Sequence, residues 1–476
     1  MRAGATVHLM PAVCCLLLVP FSLAAGAPYM KVEGFATAAH SGLRVAGNQL
    51  IDGAGRPVLL HGVDISGTEF SCAQGGNSGN RGWSIFGGQP EDTPGTIGAM
   101  QKWHVNAVRV PLNEDCWLGI SGINPAFGGT SYRDAIRSFV HHLVSAGLFV
   151  IVDLHWSAPG DALALSQQPM ADLDHAPAFW SQIANEFRDN SNVVFDLYNE
   201  PFLYAGYFEH SGEDAWSCWL KGCGLNKYLT GGQPYTQNHR WQTAGMQQLV
   251  DAVRAAGASN VVIASGLDWA NDDSGWLAHQ PHDPTGNLVA GWHEYHGESC
   301  ARVDCWSQTI GPVTQKVPVV VGETGDVTGA GCTLKNLPTF LPWADNHGIS
   351  YLAWTFNPWR DTHDVLIADW KGTPSPCEGE YYAAHLAALA AAPGSTSSGP
   401  EAANPHGSSA SNDINATRTL ILAVFFLGVA LFGAGVLLAT NPFNMMSAAG
   451  QNRFVIGIGI AILGAASCVT AATFLA

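Results

Sequence analysis

Residues 193–201 run Val193-Val194-Phe195-Asp196-Leu197-Tyr198-Asn199-Glu200-Pro201, an apolar stretch that ends in an acid. A second apolar run, Val317–Val321, is followed by Gly322 and Glu323. Short apolar runs bounded by turn residues are typical of buried strands. Each run therefore predicts a strand that places one carboxylate at its C-terminal end. Whether the two acids share one cleft depends on how the strands are arranged.

Further runs of the same kind give eight predicted strands. In order they are Val58–Ile65, Ala107–Leu112, Phe149–His155, Val193–Asn199, Val261–Gly266, Leu288–His293, Val317–Glu323 and Ile349–Phe356. Between them, the spacing of apolar residues predicts helices at Tyr132–Ala146, Trp180–Phe187 and Trp241–Ala256. Strands that alternate with helices favour a parallel sheet, and near-continuous apolar strands indicate cover on both faces. Eight such units fit an α/β fold, a (β/α)8 TIM barrel, better than an open doubly wound sheet. No Gly-x-Gly-x-x-Gly follows the first strand, which removes the main cue for a dinucleotide fold.

Polar and aromatic side chains collect at the predicted C-terminal ends of these strands, where such a barrel holds its active site. They are Arg109, His155, Asn199, Glu200, His293, Tyr295, Glu323 and Trp354. A charge buried without a partner at the end of an apolar strand is costly. Glu200 and Glu323 are therefore candidate catalytic acids rather than ordinary surface carboxylates.

The other strand-end residues each have a structural interpretation beside the functional one. Arg109 needs an anionic partner, which is either Glu323, held ionised as a nucleophile, or another acid in a structural ion pair. His155 and His293 are satisfied core histidines or parts of the site. Trp354 is core packing or an apolar platform for a sugar ring. Further tryptophans line a glycan groove or fill loop packing: Trp83, Trp156, Trp216, Trp219, Trp269 and Trp276.

Two carboxylates presented by two strand ends are what the hydrolysis of a glycosidic bond requires. At these residues the chain resembles glycoside hydrolase family 5, the cellulase-like family, over about residues 42–390, and residues 195–201 carry its central motif. The resemblance implies a retaining enzyme that acts on β-linked glycans and needs no cofactor. It assigns Glu200 as acid/base and Glu323 as nucleophile, and it places the sugar 2-hydroxyl on Asn199.

The resemblance also gives the remaining strand-end residues a role in substrate binding. Arg109, His155, His293 and Tyr295 would surround and orient the two carboxylates, and Trp354 would stack under the sugar next to the cut. In a retaining mechanism the two carboxyl groups lie about 5–5.5 Å apart. No spacing typical of a zinc or EF-hand site occurs, so the sequence predicts no metal site.

The expected activity is that of an endo-β-1,4-glucanase, and several rivals stay open. A β-mannanase, an exo-β-glucosidase and a glycolipid glycosidase share the same two-glutamate chemistry. A transglycosylase would lengthen polymers, and an inactive membrane-tethered glycan-binding protein would not need both acids. The net charge of −17 argues against nucleic acid as a partner and suits a neutral glycan.

Both ends of the chain predict export and membrane attachment. Residues 1–27 combine an early arginine, an apolar stretch and small residues, which indicates a signal peptide. A hydrolase domain at 28–390 and a flexible Pro/Gly/Ser-rich linker at 391–417 follow. Two almost uninterrupted apolar stretches, 418–440 and 454–476, are each long enough to cross a bilayer and are joined by a loop at 441–453. The catalytic domain is thus expected on the extracellular or exported side.

Eight cysteines of the expected exported domain suggest four disulfides. Proximity in sequence suggests the pairs Cys72/Cys116, Cys218/Cys223, Cys300/Cys305 and Cys332/Cys377. Other connectivities stay open, because cysteine spacing alone does not fix the pairing.

Overall fold

The computed structural model describes residues 42–74, 84–230, 233–235, 239–326, 333–359 and 365–392. The predicted signal peptide at 1–27 and both predicted membrane helices, 418–440 and 454–476, lie outside these residues, as does nearly all of the linker. Within the described ranges, no helix combines the length and the apolar character that crossing a bilayer demands.

The elements of this part of the chain alternate between strands and helices. The strands are β1 (Leu43–Ala46), β2 (Gln49–Asp52), β3 (His61–Asp64), β4 (Ala107–Asn113), β5 (Phe149–Trp156), β6 (Val193–Asp196), β7 (Gly224–Leu225), β8 (Tyr228–Thr230), β9 (Gln233–Tyr235), β10 (Trp241–Gln242), β11 (Val262–Ser265), β12 (Leu288–Tyr295), β13 (Val319–Gly325) and β14 (Ser350–Ala353). The helices are α1 (Pro94–Lys102), α2 (Glu114–Leu118), α3 (Thr130–Ser145), α4 (Ala176–Phe187), α5 (Ala215–Lys221), α6 (Met246–Ala255), α7 (Leu267–Ala270), α8 (Val303–Thr309), α9 (Gly311–Thr314), α10 (Leu337–His347) and α11 (Glu378–Ala391). A 3₁₀ turn covers Trp276–Ala278.

Eight parallel strands close into a barrel in the order β3, β4, β5, β6, β11, β12, β13, β14, and β14 pairs back with β3. The predicted (β/α)8 barrel is confirmed, and each barrel strand lies within one of the eight predicted runs or differs from it by a few residues at its ends. Because all strands run the same way, their C-terminal ends meet at one mouth.

One predicted helix begins later than expected. The pattern predicts a helix from Trp241, but Trp241 and Gln242 form β10, which pairs antiparallel with β7. The helix α6 begins at Met246, after Gly245, whose backbone N–H donates to Oε1 of Gln248 at 2.8 Å. The chain also passes so close to α5 here that a Cβ on Gly245 would lie 2.3 Å from the carbonyl oxygen of Leu220. This close approach leaves no room for a side chain at position 245, where the chain turns from β10 into α6.

Side chains alternate between the inside of the barrel and the helical layer outside it, as strand geometry requires. On β5, Val150 and Val152 belong to the large outer core, whereas Phe149 and Ile151 belong to a second cluster. The barrel strands supply most of this second, inner cluster, and Leu43 and Leu50 of the β1–β2 hairpin belong to it. The hairpin thus adds apolar side chains to the N-terminal end of the barrel, opposite the mouth.

A β-bulge interrupts the alternation in β13. Opposite β12, Val321 pairs with Trp292 and Glu323 pairs with His293, so Gly322 is an extra residue with no partner of its own. One additional residue exchanges the two faces of a strand. Because of the bulge, Glu323 lies on the same side as His293, inside the barrel.

Three of the four predicted disulfides are confirmed: Cys72–Cys116, Cys218–Cys223 and Cys300–Cys305. Cys72–Cys116 ties the segment after β3 to helix α2, which begins directly after β4. Cys332 lies outside the described residues, so its pairing with Cys377 stays a prediction.

Candidate active site

A single fully buried arginine lies at the centre of the barrel mouth. Nη1 of Arg109 donates to Oε1 of Glu323 at 2.7 Å, and Nη2 donates to Oδ1 of Asn199 at 2.7 Å. These contacts join strands β4 and β13 to the segment that follows β6. Arg109 therefore contacts the predicted nucleophile, Glu323, and also Asn199, which directly precedes the predicted acid/base in sequence.

Three further acids surround the same guanidinium. Arg109 contacts Asp153 Oδ2 at 2.6 Å, Asp196 Oδ2 at 3.1 Å and Asp64 Oδ1 at 3.3 Å. The strand register places them there, because Asp64 pairs with Arg109 across β3 and β4, and Asp153 pairs with Asp196 across β5 and β6. Both alternatives for Arg109 thus hold together, since it contacts Glu323 and also forms structural ion pairs.

Glu323 is held in its ionised form. Burial alone would raise the pKa of this carboxyl group, but the positive charges of His293, Arg109 and His155 outweigh burial and lower the pKa to about 2. The hydroxyl of Tyr295 donates to its Oε2 at 3.0 Å, while Arg109 contacts its Oε1. A buried carboxylate with both oxygens hydrogen-bonded is positioned and ionised, as a nucleophile has to be.

Burial makes some of the acids around Arg109 hold their protons more tightly than others. It raises the pKa of Asp64 well above its usual range, although the guanidinium opposes the shift. It also raises the pKa of Asp196, to about 6. Four neighbouring carboxylates and one guanidinium need not carry three net negative charges, because Asp64 and Asp196 keep their protons more readily than Glu323.

Glu200 lies beside Glu323 but in a different environment. It is half-buried, whereas Glu323 is buried. Nδ1 of His293 lies 2.9 Å from Oε1 of Glu200 and 3.9 Å from Oε2 of Glu323. One oxygen from each of these carboxylates and one nitrogen of His293 lie within 4.8 Å of one another. The two acids predicted from separate strands therefore face one space.

The orientation of the Asn199 amide follows from its partners. Arginine can only donate hydrogen bonds, so the atom that faces Nη2 of Arg109 is the amide oxygen. The amide nitrogen then donates to Oε1 of Gln167, and Nε2 of Gln167 donates to the carbonyl oxygen of Glu200. Since an amide nitrogen carries two protons, Asn199 has a second N–H besides the one that contacts Gln167.

His155 and Trp354 form a second side of the mouth. Their rings stack at 5.7 Å between centroids with an angle of 16° between the planes. Nδ1 of His155 lies 3.1 Å from Oδ2 of Asp153. Burial disfavours the charged imidazolium, but the neighbouring carboxylates, Asp153 first among them, raise the pKa of His155 to about 9. Trp354 is only partly buried, so part of its ring faces open space at the mouth.

Aromatic side chains that closely follow Glu200 in sequence pack with Trp269 from a later segment. Phe202 and Trp269 stack at 3.9 Å with an angle of 8°, and Nε1 of Trp269 donates to the hydroxyl of Tyr204 at 2.9 Å. Tyr204 is 43% exposed. Of the other tryptophans proposed for a groove, Trp219 and Trp276 are buried and support the packing alternative, Trp156 and Trp216 are partly buried, and Trp83 lies outside the described residues.

The structure thus brings together all eight candidate residues through direct contacts or one shared neighbour. It adds four that the sequence argument did not assign to the site, namely Asp64, Asp153, Asp196 and Gln167. The three aspartates had a signal, because each is a charged residue in an otherwise apolar strand: Asp64 in β3, Asp153 in β5 and Asp196 in β6. Gln167 had none, since it lies in the long segment between β5 and α4.

A family model described as cellulase, glycosyl hydrolase family 5, matches residues 63–359, well over half of the chain. This chain belongs to glycosyl hydrolase family 5. The match covers the barrel from β3 to the segment after β14 and includes every candidate residue. The prediction of a glycoside hydrolase is confirmed at the level of the family.

The chain is also similar to known endoglucanases in sequence and to a solved β-glucanase in fold. An endoglucanase from Clostridium saccharobutylicum is 23% identical over 327 residues, which are 68% of this chain and 58% of that relative. Endoglucanase 1 from a Robillarda species is 25% identical over 351 residues, 64% of this chain and 79% of that relative. A β-glucanase from Saccharophagus degradans, solved with cellotetraose, superposes with a TM-score of 0.53 at 20% identity over 74% of this chain and 94% of its own, a likeness of fold.

Proposed function

We propose that this family 5 protein is a retaining β-glycoside hydrolase that cleaves β-1,4-linked glucan within the polymer. The proposal rests above all on Glu200 and Glu323, whose nearest oxygens lie within 4.8 Å of each other. That separation suits the carboxyl spacing of about 5–5.5 Å in retaining enzymes and is too short for the roughly 6.5–9.5 Å of inverting ones. The endoglucanases among its relatives support β-1,4-glucan as the substrate.

In the first step Glu200 gives its proton to the glycosidic oxygen while an oxygen of Glu323 attacks the anomeric carbon. The bond to the leaving sugar breaks, and an ester forms between Glu323 and the remaining glycan. In the second step Glu200, now a carboxylate, takes a proton from water, and the resulting hydroxide replaces Glu323. Arg109 and Tyr295 stabilise the Glu323 carboxylate that is released, because their donors already point at its two oxygens.

Substrates with different leaving groups distinguish the roles of the two glutamates. Glu323→Gln should abolish turnover of both cellulose and a dinitrophenyl β-cellobioside, since no nucleophile remains. Glu200→Gln should reduce cellulose hydrolysis by about 10²–10⁴-fold, the usual contribution of an acid/base group. It should still release a burst of dinitrophenol, because that leaving group needs no proton.

Steady-state rates, burst amplitudes and circular dichroism of the full chain measure these effects. Glu186→Gln is the matched control, because Glu186 lies on α4 and pairs with Arg137 at the surface. Undiminished cellulose hydrolysis by folded Glu200→Gln or Glu323→Gln protein would end the proposal.

Substrate choice is tested against the rivals with the same chemistry. We expect shortened chains from soluble cellulose derivatives and little release from mannan, aryl β-glucosides or glycosphingolipids. Faster cleavage of glycosphingolipid than of cellulose would replace the glucanase proposal with a glycolipid glycosidase. Products longer than the substrate would identify a transglycosylase.

We also propose that the catalytic domain is exported and held at a membrane by residues 418–440 and 454–476. The disulfides support an oxidising compartment, and the two apolar stretches, in which Arg418 is the one charged residue, support insertion. Full-length protein should sediment with membranes and lose its activity to external protease on intact cells. Recovery of the full-length enzyme in the soluble fraction would contradict the tether.

A further inference from the structure

A second group of ligand-type side chains lies beside the barrel mouth, formed by Glu114, Asp172 and His175. Glu114 is the first residue of α2, directly after β4. Asp172 and His175 lie at the end of the segment between β5 and α4. One carboxylate oxygen of each acid and one ring nitrogen of His175 lie within 4.8 Å of one another. None of the three belongs to the two-glutamate centre.

The two acids are buried and incompletely satisfied. Glu114 and Asp172 have no measurable exposure. Oε1 of Glu114 and Oδ2 of Asp172 have no hydrogen-bond partner among the residues that the structure describes. A buried polar atom without a partner destabilises the folded state, and more so when it is charged. A bound ligand would satisfy these oxygens, as would a proton that the two carboxyl groups share.

The local charge favours a cation. Within the described ranges no lysine or arginine nitrogen lies within 4 Å of Glu114 or Asp172, and His175 is the nearest base, with Nδ1 3.5 Å from Oδ1 of Asp172. Asp115 follows Glu114 in sequence, and Asp174 is a further acid two residues beyond Asp172. The group is therefore an excess of acid around one imidazole.

We propose that Glu114, Asp172 and His175 bind a divalent cation of the first transition row, such as Mn²⁺ or Zn²⁺. Two carboxylates and an imidazole are a donor set that these ions accept, whereas Ca²⁺ and Mg²⁺ take oxygen ligands almost alone. Nδ1 of His175 also lies 3.4 Å from the carbonyl oxygen of Ala158, a contact that helps to orient the ring.

The cation fastens the segment that carries Gln167. Residues 157–175 leave β5 after Trp156 and return at His175, and Gln167 lies between these two points. Gln167 contacts both Asn199 and the backbone of Glu200. A metal that joins Glu114 to Asp172 and His175 therefore holds Gln167 in place. The ion is a positioning element and takes no part in bond breaking.

The test uses full-length protein treated with a chelator and desalted. Manganese chloride should bind with one equivalent, seen as loss of the free-ion electron paramagnetic resonance signal, and should raise Tm in proportion to its excess over Kd. Zinc chloride should compete for the same equivalent, while calcium and magnesium chlorides should leave Tm unchanged. His175→Ala is the mildest variant, since the side chain is 22% exposed, and it should weaken Mn²⁺ binding at least about 10-fold.

Asp172→Asn should weaken binding further, whereas Asp273→Asn is the matched control and should bind Mn²⁺ like the parent. Asp273 is also buried, and both its oxygens lack a partner among the described residues, but it lies outside the cluster. The proposal is overturned if no ion binds to the parent, if His175→Ala binds as tightly as the parent, or if Asp172→Asn raises Tm without metal as far as manganese raises that of the parent. The last result would identify a pair of carboxyl groups that share a proton.

Discussion

At the scale of single residues, Arg109 decides the chemistry of the site. It contacts the proposed nucleophile, the neighbour of the proposed acid/base and three further acids at once. A planar guanidinium with five N–H groups can serve such a set, whereas an ammonium offers three donors from one point. The substitution that conserves charge therefore does not conserve function here.

We expect Arg109→Lys to lower kcat/KM by about 10²–10³-fold, the effect of removing one well-aimed donor from a buried site. The pKa of Glu323 should rise, because a lysine ammonium cannot reproduce the aligned hydrogen bond that the guanidinium donates to this carboxylate, so the acid limb of the kcat/KM profile should move to higher pH. Initial rates from pH 3 to 9 measure both effects. Arg254→Lys is the control, because Arg254 pairs with Asp283 outside the site. An unchanged acid limb would show that Arg109 does not set the ionisation of Glu323.

His155 gives the folded state its own dependence on pH. Its pKa is raised from 6.5 to about 9, so the folded protein holds this proton more tightly than the unfolded chain does. The resulting stability is complete below pH 6.5 and is lost as the pH rises through about 9. Glu323 acts oppositely, because its contribution is present above pH 4.5 and is lost as the pH falls towards about 2.

We therefore expect His155→Gln to flatten the loss of Tm between pH 6.5 and 9. Thermal unfolding of the full chain in a pH series measures this, with the exposed His141→Gln as the reference. A variant that loses stability with pH as steeply as its parent would show that another group titrates.

At the scale of elements, strand β13 shows where sequence patterns stop being informative. The apolar run at 317–321 predicts the strand and its terminal acid, but it cannot predict which face the acid takes. That face is set by Gly322, which is unpaired opposite β12. A bulge needs the partner strand to be known, so it is invisible in one run of residues.

Gly322 also has to remain without a side chain. A Cβ at this position would lie 2.8 Å from Nε2 of His293, the ring that contacts Glu200. We expect Gly322→Ala to displace that ring and to lower kcat/KM by about 10²-fold, as small misplacements near reacting groups do. Gly98→Ala is the matched control, since a Cβ on Gly98 of α1 meets nothing within 4 Å. Equal rates for the two variants would contradict the role of Gly322.

The remaining elements divide in the same way between predictable and unpredictable. The barrel strands were predictable because buried parallel strands are almost wholly apolar. The start of α6 was not predictable, because it depends on the close approach of Gly245 to Leu220, which belongs to the separate helix α5. The role of Gln167 depends on the path of a long connection, which no periodicity encodes.

At the scale of the whole molecule, the barrel separates stability from chemistry along its axis. The apolar cluster that contains Leu50 fills the end opposite the mouth, whereas the charged layer around Arg109 lies at the mouth. The site was predictable to the extent that this rule of barrels holds, because it gathers strand ends that lie far apart in sequence. The acid partners of Arg109 were less so, since their pairing depends on register.

We expect Leu50→Ala to lower the free energy of unfolding by about 2–5 kcal/mol, the cost of emptying a well-packed site. The value of kcat/KM should stay within twofold of the parent below the new Tm. Denaturant unfolding and cellulose hydrolysis measure the two quantities, and Val303→Ala, at 43% exposure, should change neither. A matching loss of activity would show that the two ends of the barrel are coupled.

The bulge in β13 also bears on how similar chains should be compared. A gene one codon shorter between Val321 and Glu323 would still encode both glutamates and every apolar run. Its second glutamate would follow Val321 directly, pair with His293 in regular alternation and still face the barrel interior. A chain of the present length in which β13 ran without the bulge would instead turn that acid into the helical layer. Alignments of similar chains should therefore treat a gap at position 322 as compatible with the site, and should score the acid by its partner on β12 rather than by its distance from Val321.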